Sequence, residues 1–456
     1  MARKYLVETF GCQMNVHDSE RIAGLLERDG YVPATSDADA DVVVINTCNV
    51  REHAEDKLYT RLGELREIAK TRDEGPVVAV AGCVAQQEGA KLLMHGSGVD
   101  VVIGTQSVKQ LTSLIAETES RRRPVVDISP HEDVSFPLGV ARHADPVRAR
   151  VTIIEGCNDF CSFCVVPYTR GHERMRPVAD ILAEVRSATE SGRVEIQLLG
   201  QIVNHYQAPD DASCDFAELL ARVSAQPGVR RLRFASPHPR HVSDRMIDAM
   251  CDLPAVCKQL HLPVQSGSNR VLSAMRRRYT RESYLDLIDR IRRRVPGIAL
   301  STDMIVGFPG ETRDDFELTL DLVRRARFLS MYSFKYSPRP NTLAGKRMAD
   351  DVTEAEKTIR IVALQRLQAE IQARIFADMV GTTHEVLVDG ISRRREWEVT
   401  GRTGGNAVVN FPGADAQIGQ MIEVKITGYG PNSLRGEPAT ATPRVSRGTI
   451  EAGHAR

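Results

Sequence analysis

Short β-branched runs alternate with helix-periodic segments twice along this chain, and that double alternation restricts the fold more than any other feature. In the first stretch, Lys4–Phe10, Asp41–Asn46, Pro76–Ala81 and Val99–Ile103 are strand-sized apolar runs. Ser19–Arg28, Ala54–Lys70 and Val108–Glu119 carry helical spacing. Strands alternating with helices predict an open α/β domain with a parallel sheet over residues 1–120. Arg121–Pro124 and the Pro- and His-containing residues after it predict a linker, 121–144. The alternation then restarts. Val151–Glu155, Val194–Leu199, Arg230–Ala235, Gln259–Val264, Ala299–Val306 and Met331–Tyr336 read as strands. Val178–Ser191, Asp215–Ala225, Arg281–Arg294 and Thr312–Arg325 read as helices. Six β/α repeats predict a partial (β/α)6 barrel over 145–377, ended by a long helix, Thr353–Phe376. Four further short runs, Glu385–Val388, Glu396–Gly401, Ala407–Phe411 and Met421–Gly428, predict a small antiparallel β-barrel over 378–441. The polar tail, 442–456, is expected to be mobile.

Composition narrows the functional classes. No apolar run approaches the roughly 18 residues of a membrane span, so no membrane association is expected. The first residues lack the apolar core of a secretory signal, which predicts a cytoplasmic protein. Thiols stay reduced there, so nine cysteines point to metal or catalysis before disulfides. Lys+Arg and Asp+Glu balance at 60 each, but unevenly: residues 1–120 hold 12 basic and 19 acidic side chains, residues 145–377 hold 35 and 29. A phosphate-binding surface depends on local charge, so the balance does not exclude nucleic acid and places its likelier surface on the barrel.

The cysteines carry the chemistry. Cys157, Cys161 and Cys164 form CxxxCxxC directly after the first barrel strand. Three thiolates at this spacing can hold three irons of a cubane cluster and leave the fourth open. Active sites of such barrels lie at the C-terminal ends of strands, where this loop sits. A zinc site completed by His143 or His172 is the alternative, weakened by the lack of a second CxxC pair. Cys12, Cys48 and Cys83 each lie one or two residues beyond a predicted strand of the first domain. Strand ends of an open parallel sheet face one crevice, so these three can converge on a second cluster. Three buried structural thiols are the alternative. Cys214, Cys251 and Cys257 have no such placement and read as ordinary thiols.

Other strand ends add polar groups to the barrel mouth: Gln201, Gln265 and the turn Gly307–Thr312, which contains Glu311. Phe163, between two cluster cysteines, could pack on an adenine. Arg170, His172, Arg174, Arg176, Arg276–Arg278, Arg292–Arg294 and Arg393–Arg395 are candidate phosphate contacts. The last domain, 6 basic against 8 acidic residues, would not be read as RNA-binding on charge.

The CxxxCxxC loop on a partial barrel resembles the radical S-adenosylmethionine (SAM) superfamily. The flanking domains resemble the methylthiotransferase and TRAM domains, and together the resemblance runs to about residue 441. Within methylthiotransferases the chain is most similar to the MiaB-type tRNA enzymes. The matching stretches are Glu8-Thr-Phe-Gly-Cys-Gln-Met-Asn15, Asn46-Thr-Cys-Asn-Val-Arg51, Ala81-Gly-Cys-Val-Ala-Gln-Gln87, Gly104-Thr-Gln106, Phe163-Cys-Val-Val-Pro-Tyr-Thr-Arg-Gly171 and Leu260-His-Leu-Pro-Val-Gln-Ser-Gly267. The resemblance implies two [4Fe-4S] clusters with three Cys ligands each: Cys157, Cys161 and Cys164 for the SAM-binding one, Cys12, Cys48 and Cys83 for the auxiliary one. SAM would be contacted by Phe163, Gln201 and Glu311. The implied reaction replaces the C2 hydrogen of N6-isopentenyladenosine, beside the tRNA anticodon, with a methylthio group. It consumes two SAM molecules, one giving the methyl and one the 5′-deoxyadenosyl radical, with an electron donor such as a flavodoxin, and a monomer is expected. Ile202 and His172 depart from the family pattern, which usually has Asn and Arg there.

Two other readings stay in view. One is a methylthiotransferase for threonylcarbamoyladenosine or a ribosomal-protein aspartate, against which the Asn46–Arg51 stretch speaks. The other is a non-catalytic metal-containing RNA-binding protein.

Overall fold

A computed structural model describes residues 2–49, 52–70, 75–94, 98–130 and 140–439; Val50 and Arg51 of one family stretch, residues 131–139 of the expected linker and the tail 442–456 lie outside the described residues. Two compact units divide the chain near Gln368.

The first unit begins with six parallel strands: β1 (Lys4–Phe10), β2 (Val32–Pro33), β3 (Val42–Thr47), β4 (Val77–Gly82), β5 (Val101–Ile103) and β6 (Val125–Asp127). Their order is β2-β1-β3-β4-β5-β6. The chain winds one way from β1 to β2 and the other way from β3 onward, so the topological switch lies between β1 and β3. Alternate residues of the strands other than β2 enter opposite cores. Val42, Val44, Ala79 and Ala81 pack beside Ile22, Leu25 and Leu26 of helix α1 (Gln13–Arg28). Val43, Ile45, Val78 and Val80 pack beside Leu58, Leu62 and Leu65. Burial on both faces is why these strands read as continuous apolar runs. β6 lies inside the segment expected to be a linker, and β2 was not foreseen. Both are edge strands too short to show a period.

The barrel of the same unit has two parallel three-stranded sheets. One holds Arg148–Thr152, Glu195–Leu199 and Arg231–Phe234; the other holds Gln259–His261, Ala299–Val306 and Ser330–Lys335. A parallel bridge from Leu232 to Val256, just ahead of Gln259, joins them into a six-stranded partial barrel. The long helix Glu354–Met379 follows.

The second unit holds a closed five-stranded barrel, Thr383–Ile391, Glu398–Thr403, Val408–Pro412, Met421–Tyr429 and Leu434–Pro438. Val386, Val388, Val399, Phe411, Val424 and Ile426 fill its interior. It is antiparallel except for one pair, Val409 against Leu434, where the unforeseen fifth strand closes the barrel in parallel. No helix among the described residues is long and apolar enough to cross a membrane.

Candidate active site

The switch point of the first sheet is where its cysteines gather. Cys12 caps the start of α1, immediately beyond β1. Cys48 follows β3, its N–H donating to the Phe10 carbonyl at 2.9 Å. Cys83 opens a short helix immediately after β4. Crevices at such switch points are where open α/β sheets bind ligands. The Cys12 thiol donates to Asn15 Oδ1 at 3.2 Å and lies near enough to Cys48 and Cys83 for each to act on its ionisation or to be acted on by it. Asn15 and Asn46 brace the cradle: Asn15 Nδ2 donates to Asn46 Oδ1 at 3.0 Å, and Asn46 Nδ2 donates to the Asn15 carbonyl at 2.8 Å. Gly82 makes the close approach possible. Its φ is +93°, and a Cβ there would lie 2.4 Å from Asn46 Oδ1 and 2.6 Å from the Thr47 carbonyl. The neighbouring Cys48 thiol, against the opposing effect of burial, and the Arg170 charge hold the Cys12 thiol down to about 6. Burial pushes the Cys83 thiol up.

The second triad lies on the loop after Ile154–Glu155. The Cys164 N–H donates to the Cys161 carbonyl at 3.0 Å, and the Asp159 N–H points at Cys157 Sγ at 3.5 Å. Burial and the neighbouring cysteines push Cys157 up to about 11 and Cys164 up to about 12. Three thiols crowded together out of water are poor thiolates by themselves. A bound cation compensates both penalties, which is the condition a metal cluster satisfies. Arg277 supports it: Nη1 reaches Cys161 Sγ at 3.5 Å, Nη2 the Pro263 carbonyl at 3.2 Å and Nε the Tyr279 hydroxyl at 2.9 Å. The soft donor sets, three thiols each, suit iron–sulfur clusters.

The remaining site candidates divide. Gln201 and Glu311 both stand beyond the ends of barrel strands, and each keeps one buried side-chain oxygen without a hydrogen-bond partner, open to the donors of a ligand. Glu311 is otherwise anchored: its Oε2 accepts from the Gly307 N–H and from Arg360, both at 2.7 Å. Phe163 is half-buried against Val271, Met275, Phe308 and Tyr336. Several arginines expected to meet phosphates turn inward instead. Arg170 pairs with Asp18 at 2.6 Å, Arg176 with Glu184 at 2.7 Å, and Arg277 sits behind the cysteine loop. Arg170 and Arg277 find a buried carboxylate and a buried thiol from distant parts of the chain, which local charge spacing cannot reveal, and Arg176 finds its carboxylate eight residues on. The proposed zinc ligands are engaged elsewhere: His143 Nδ1 meets Glu20 at 3.1 Å and His172 Nδ1 meets Asn158 at 3.0 Å. Ile202 is buried. Cys214 and Cys257 are buried and Cys251 exposed.

Asp159, His238 and His241 also come together. Burial and Arg277 push His238 down to about 2, and burial and His205 push His241 down to about 4, so both rings are neutral. The Arg240 guanidinium already lies 3.4 Å from Asp159 Oδ1 and 3.2 Å from His241 Nε2. It takes the place a cation would occupy.

A partial barrel with a three-cysteine loop at the ends of its strands, joined to a sheet with three cysteines at its switch point, has the architecture of a radical SAM enzyme. The radical SAM superfamily matches residues 151–323, the TRAM domain matches 377–439, and the uncharacterized protein family UPF0004 matches 4–104. The chain is 44% identical to the tRNA-2-methylthio-N(6)-dimethylallyladenosine synthase of Solibacter usitatus, covering 96% of this chain and 98% of that one. It is 46% identical to the enzyme of the same name from Alkalilimnicola ehrlichii, with the same coverage. This chain belongs to the tRNA-2-methylthio-N(6)-dimethylallyladenosine synthase family. In fold it is similar to the radical SAM methyltransferase TsrM of Kitasatospora setae, at TM-score 0.54 and 17% identity over 76% of this chain and 74% of that one. The cobalamin-dependent SAM radical enzyme OxsB is similar at 0.53 and 12%, over 81% and 62%.

Proposed function

We propose that this chain replaces the C2 hydrogen of N6-isopentenyladenosine, beside the anticodon of tRNA, with a methylthio group. The observation that carries this reading is the presence of two three-cysteine sites, each at strand ends, in a chain nearly half identical to enzymes of that name. An aromatic C2–H bond is unactivated, so a cofactor must supply the difficult step. In our reading, Cys157, Cys161 and Cys164 would hold a [4Fe-4S] cluster that would supply the electron for SAM cleavage, and Cys12, Cys48 and Cys83 would hold one that would offer a site for transferable sulfur.

The chain's own residues bind and orient. Arg277 offsets negative charge at Cys161. The free oxygens of Gln201 and Glu311 accept from the amino and hydroxyl groups of SAM, and Phe163 supplies an apolar wall. The target base must leave its stack to reach such a site, which favours a single-stranded loop. Phe160 and Tyr168 are exposed beside the cysteine loop, edge to face at 6.2 Å, and offer ring faces to such a loop. The work divides among residues 1–120 for sulfur, 145–377 for SAM and the anticodon loop, and 378–441 for further RNA contact. The nine free thiols suit a reducing, cytoplasmic setting with a flavodoxin-like donor, and the enzyme acts as a monomer.

Anaerobic reconstitution tests this. About eight irons per chain, four for each cluster, are expected, with 5′-deoxyadenosine formed on reduction and methylthiolated product from isopentenylated tRNA. Zinc in place of iron, with no SAM cleavage, would overturn the reading.

A further inference from the structure

A three-residue strap ties the two cysteine sites together. Thr169, Arg170 and Gly171 follow the CxxxCxxC loop, and the Gly171 carbonyl accepts from the N–H of Cys157 at 3.1 Å. The same strap is held by the first domain. Thr105 Oγ1 donates to the Thr169 carbonyl at 2.6 Å, and Gln106 Nε2 donates to the Arg170 carbonyl at 3.1 Å. A side chain at position 171 would be strained at φ +75° and would displace the Gln106 amide, whose Nε2 would lie 2.5 Å from its Cβ. The strap's side chains point into the other site. The Thr169 hydroxyl donates to the Val165 and Val166 carbonyls at 3.4 and 3.5 Å and faces Cys83, whose ionised form it favours. The Arg170 guanidinium, 5% exposed, donates to Asp18 Oδ2 at 2.6 Å and acts electrostatically on both Cys83 and Cys12.

A buried cation needs a buried anion. Asp18 is one, but Glu155 is already met by Arg21 at 2.8 Å. Arg170 thus faces two carboxylates, Asp18 and the Arg21-paired Glu155, and two thiols, Cys12 and Cys83, from a strap that also holds the first ligand of the other triad. We propose that Arg170 is the counter-cation of the Cys12, Cys48 and Cys83 site, a positioning residue that sets the charge balance of the cluster bound there. The proposal rests on the reading of those three cysteines as cluster ligands.

A cluster gains negative charge on reduction. Removing a nearby cation therefore disfavours the reduced form, and removing the anion that shares that cation favours it. The two effects have opposite signs, which a merely structural role does not produce. The test uses the full chain with Cys157, Cys161 and Cys164 replaced by alanine, so that only the auxiliary site loads, and follows its reduction by EPR redox titration. Arg170→Gln is expected to lower the reduced-to-oxidised ratio at fixed potential about tenfold or more, equivalent to about 59 mV for a one-electron couple. Arg170→Lys should return most of the shift, and Asp18→Asn should move the potential upward. If Arg170→Gln loads no cluster, Arg170→Lys, which keeps the charge, is expected to load one near the parent potential, and failure of both variants to load overturns the proposal. Unchanged potentials, or shifts of one sign in both variants, overturn the proposal. A parent chain that loads no cluster at Cys12, Cys48 and Cys83 instead overturns the reading beneath it.

Discussion

Gly82→Ala is the sharpest local perturbation of the auxiliary site. Gly82 has φ +93° and ψ −159°, a region open essentially to glycine alone, so alanine costs about 1–3 kcal/mol in backbone strain. The new methyl would lie 2.4 Å from Asn46 Oδ1, against the 3.0 Å below which real Cβ atoms essentially never come. The Asn46 amide must therefore retreat by at least about 0.6 Å and the Thr47 carbonyl, at 2.6 Å, by about 0.4 Å, in a packed core where such shifts cost about 1–3 kcal/mol. The sum is about 2–6 kcal/mol, and the displaced segment carries Cys48 while the substituted residue precedes Cys83. Two of three ligands thus move. Urea unfolding of the apoprotein should show the loss, and reconstituted protein should fall from about eight irons per chain to about four while still forming 5′-deoxyadenosine. Gly30→Ala is the control. Its φ is +87° but nothing lies within 4 Å, so only the backbone cost applies and iron content stays complete. A Gly82→Ala protein as stable as wild type, with all its iron, would refute the reasoning.

Other outcomes follow from buried charge. Arg21→Met removes the partner of Glu155 across the junction of the first sheet and the barrel, and should cost about 3–5 kcal/mol in urea unfolding; Arg3→Met, at the exposed Arg3–Glu119 pair, should cost less than about 1 kcal/mol. A cost for Arg21→Met no larger than that of Arg3→Met would contradict the role given to the junction. Glu195 is buried, which pushes its carboxyl up, but Arg233 and Arg148 outweigh burial and hold it below the ordinary range. A carboxylate depressed in the folded state adds stability above its unfolded value and loses it as pH falls through the folded one. Glu195→Gln should therefore be less stable at neutral pH and lose less stability than wild type below about pH 5. Parallel pH curves for the two proteins would contradict this assignment.

Much of the site was legible because its signals are local. The CxxxCxxC spacing and the position of Cys12, Cys48 and Cys83 just past apolar runs need only strand ends to be located within a residue or two. Lys4–Phe10 and Ala299–Val306 coincide with the observed strands. What escaped is set by distant partners. α1 begins at Gln13, not Ser19, because Asn15, His17 and Asp18 are buried polar residues that interrupt an apolar pattern. His17 joins Thr152 at 2.7 Å and Glu184 at 3.0 Å, residues far along the chain. Arg170 and Arg277 looked like surface charge for the same reason. The closing strand Leu434–Pro438 contains glycine and proline and takes its place only through pairing with Val408–Pro412 and Met421–Tyr429.

Nucleoside mass spectrometry of tRNA from a strain lacking this gene tests the central claim most directly. The account predicts that N6-isopentenyladenosine accumulates without its methylthio group. The intact gene restores that group, and variants with alanine at either cysteine triad do not. Retention of 2-methylthio-N6-isopentenyladenosine in the deletion strain would contradict it.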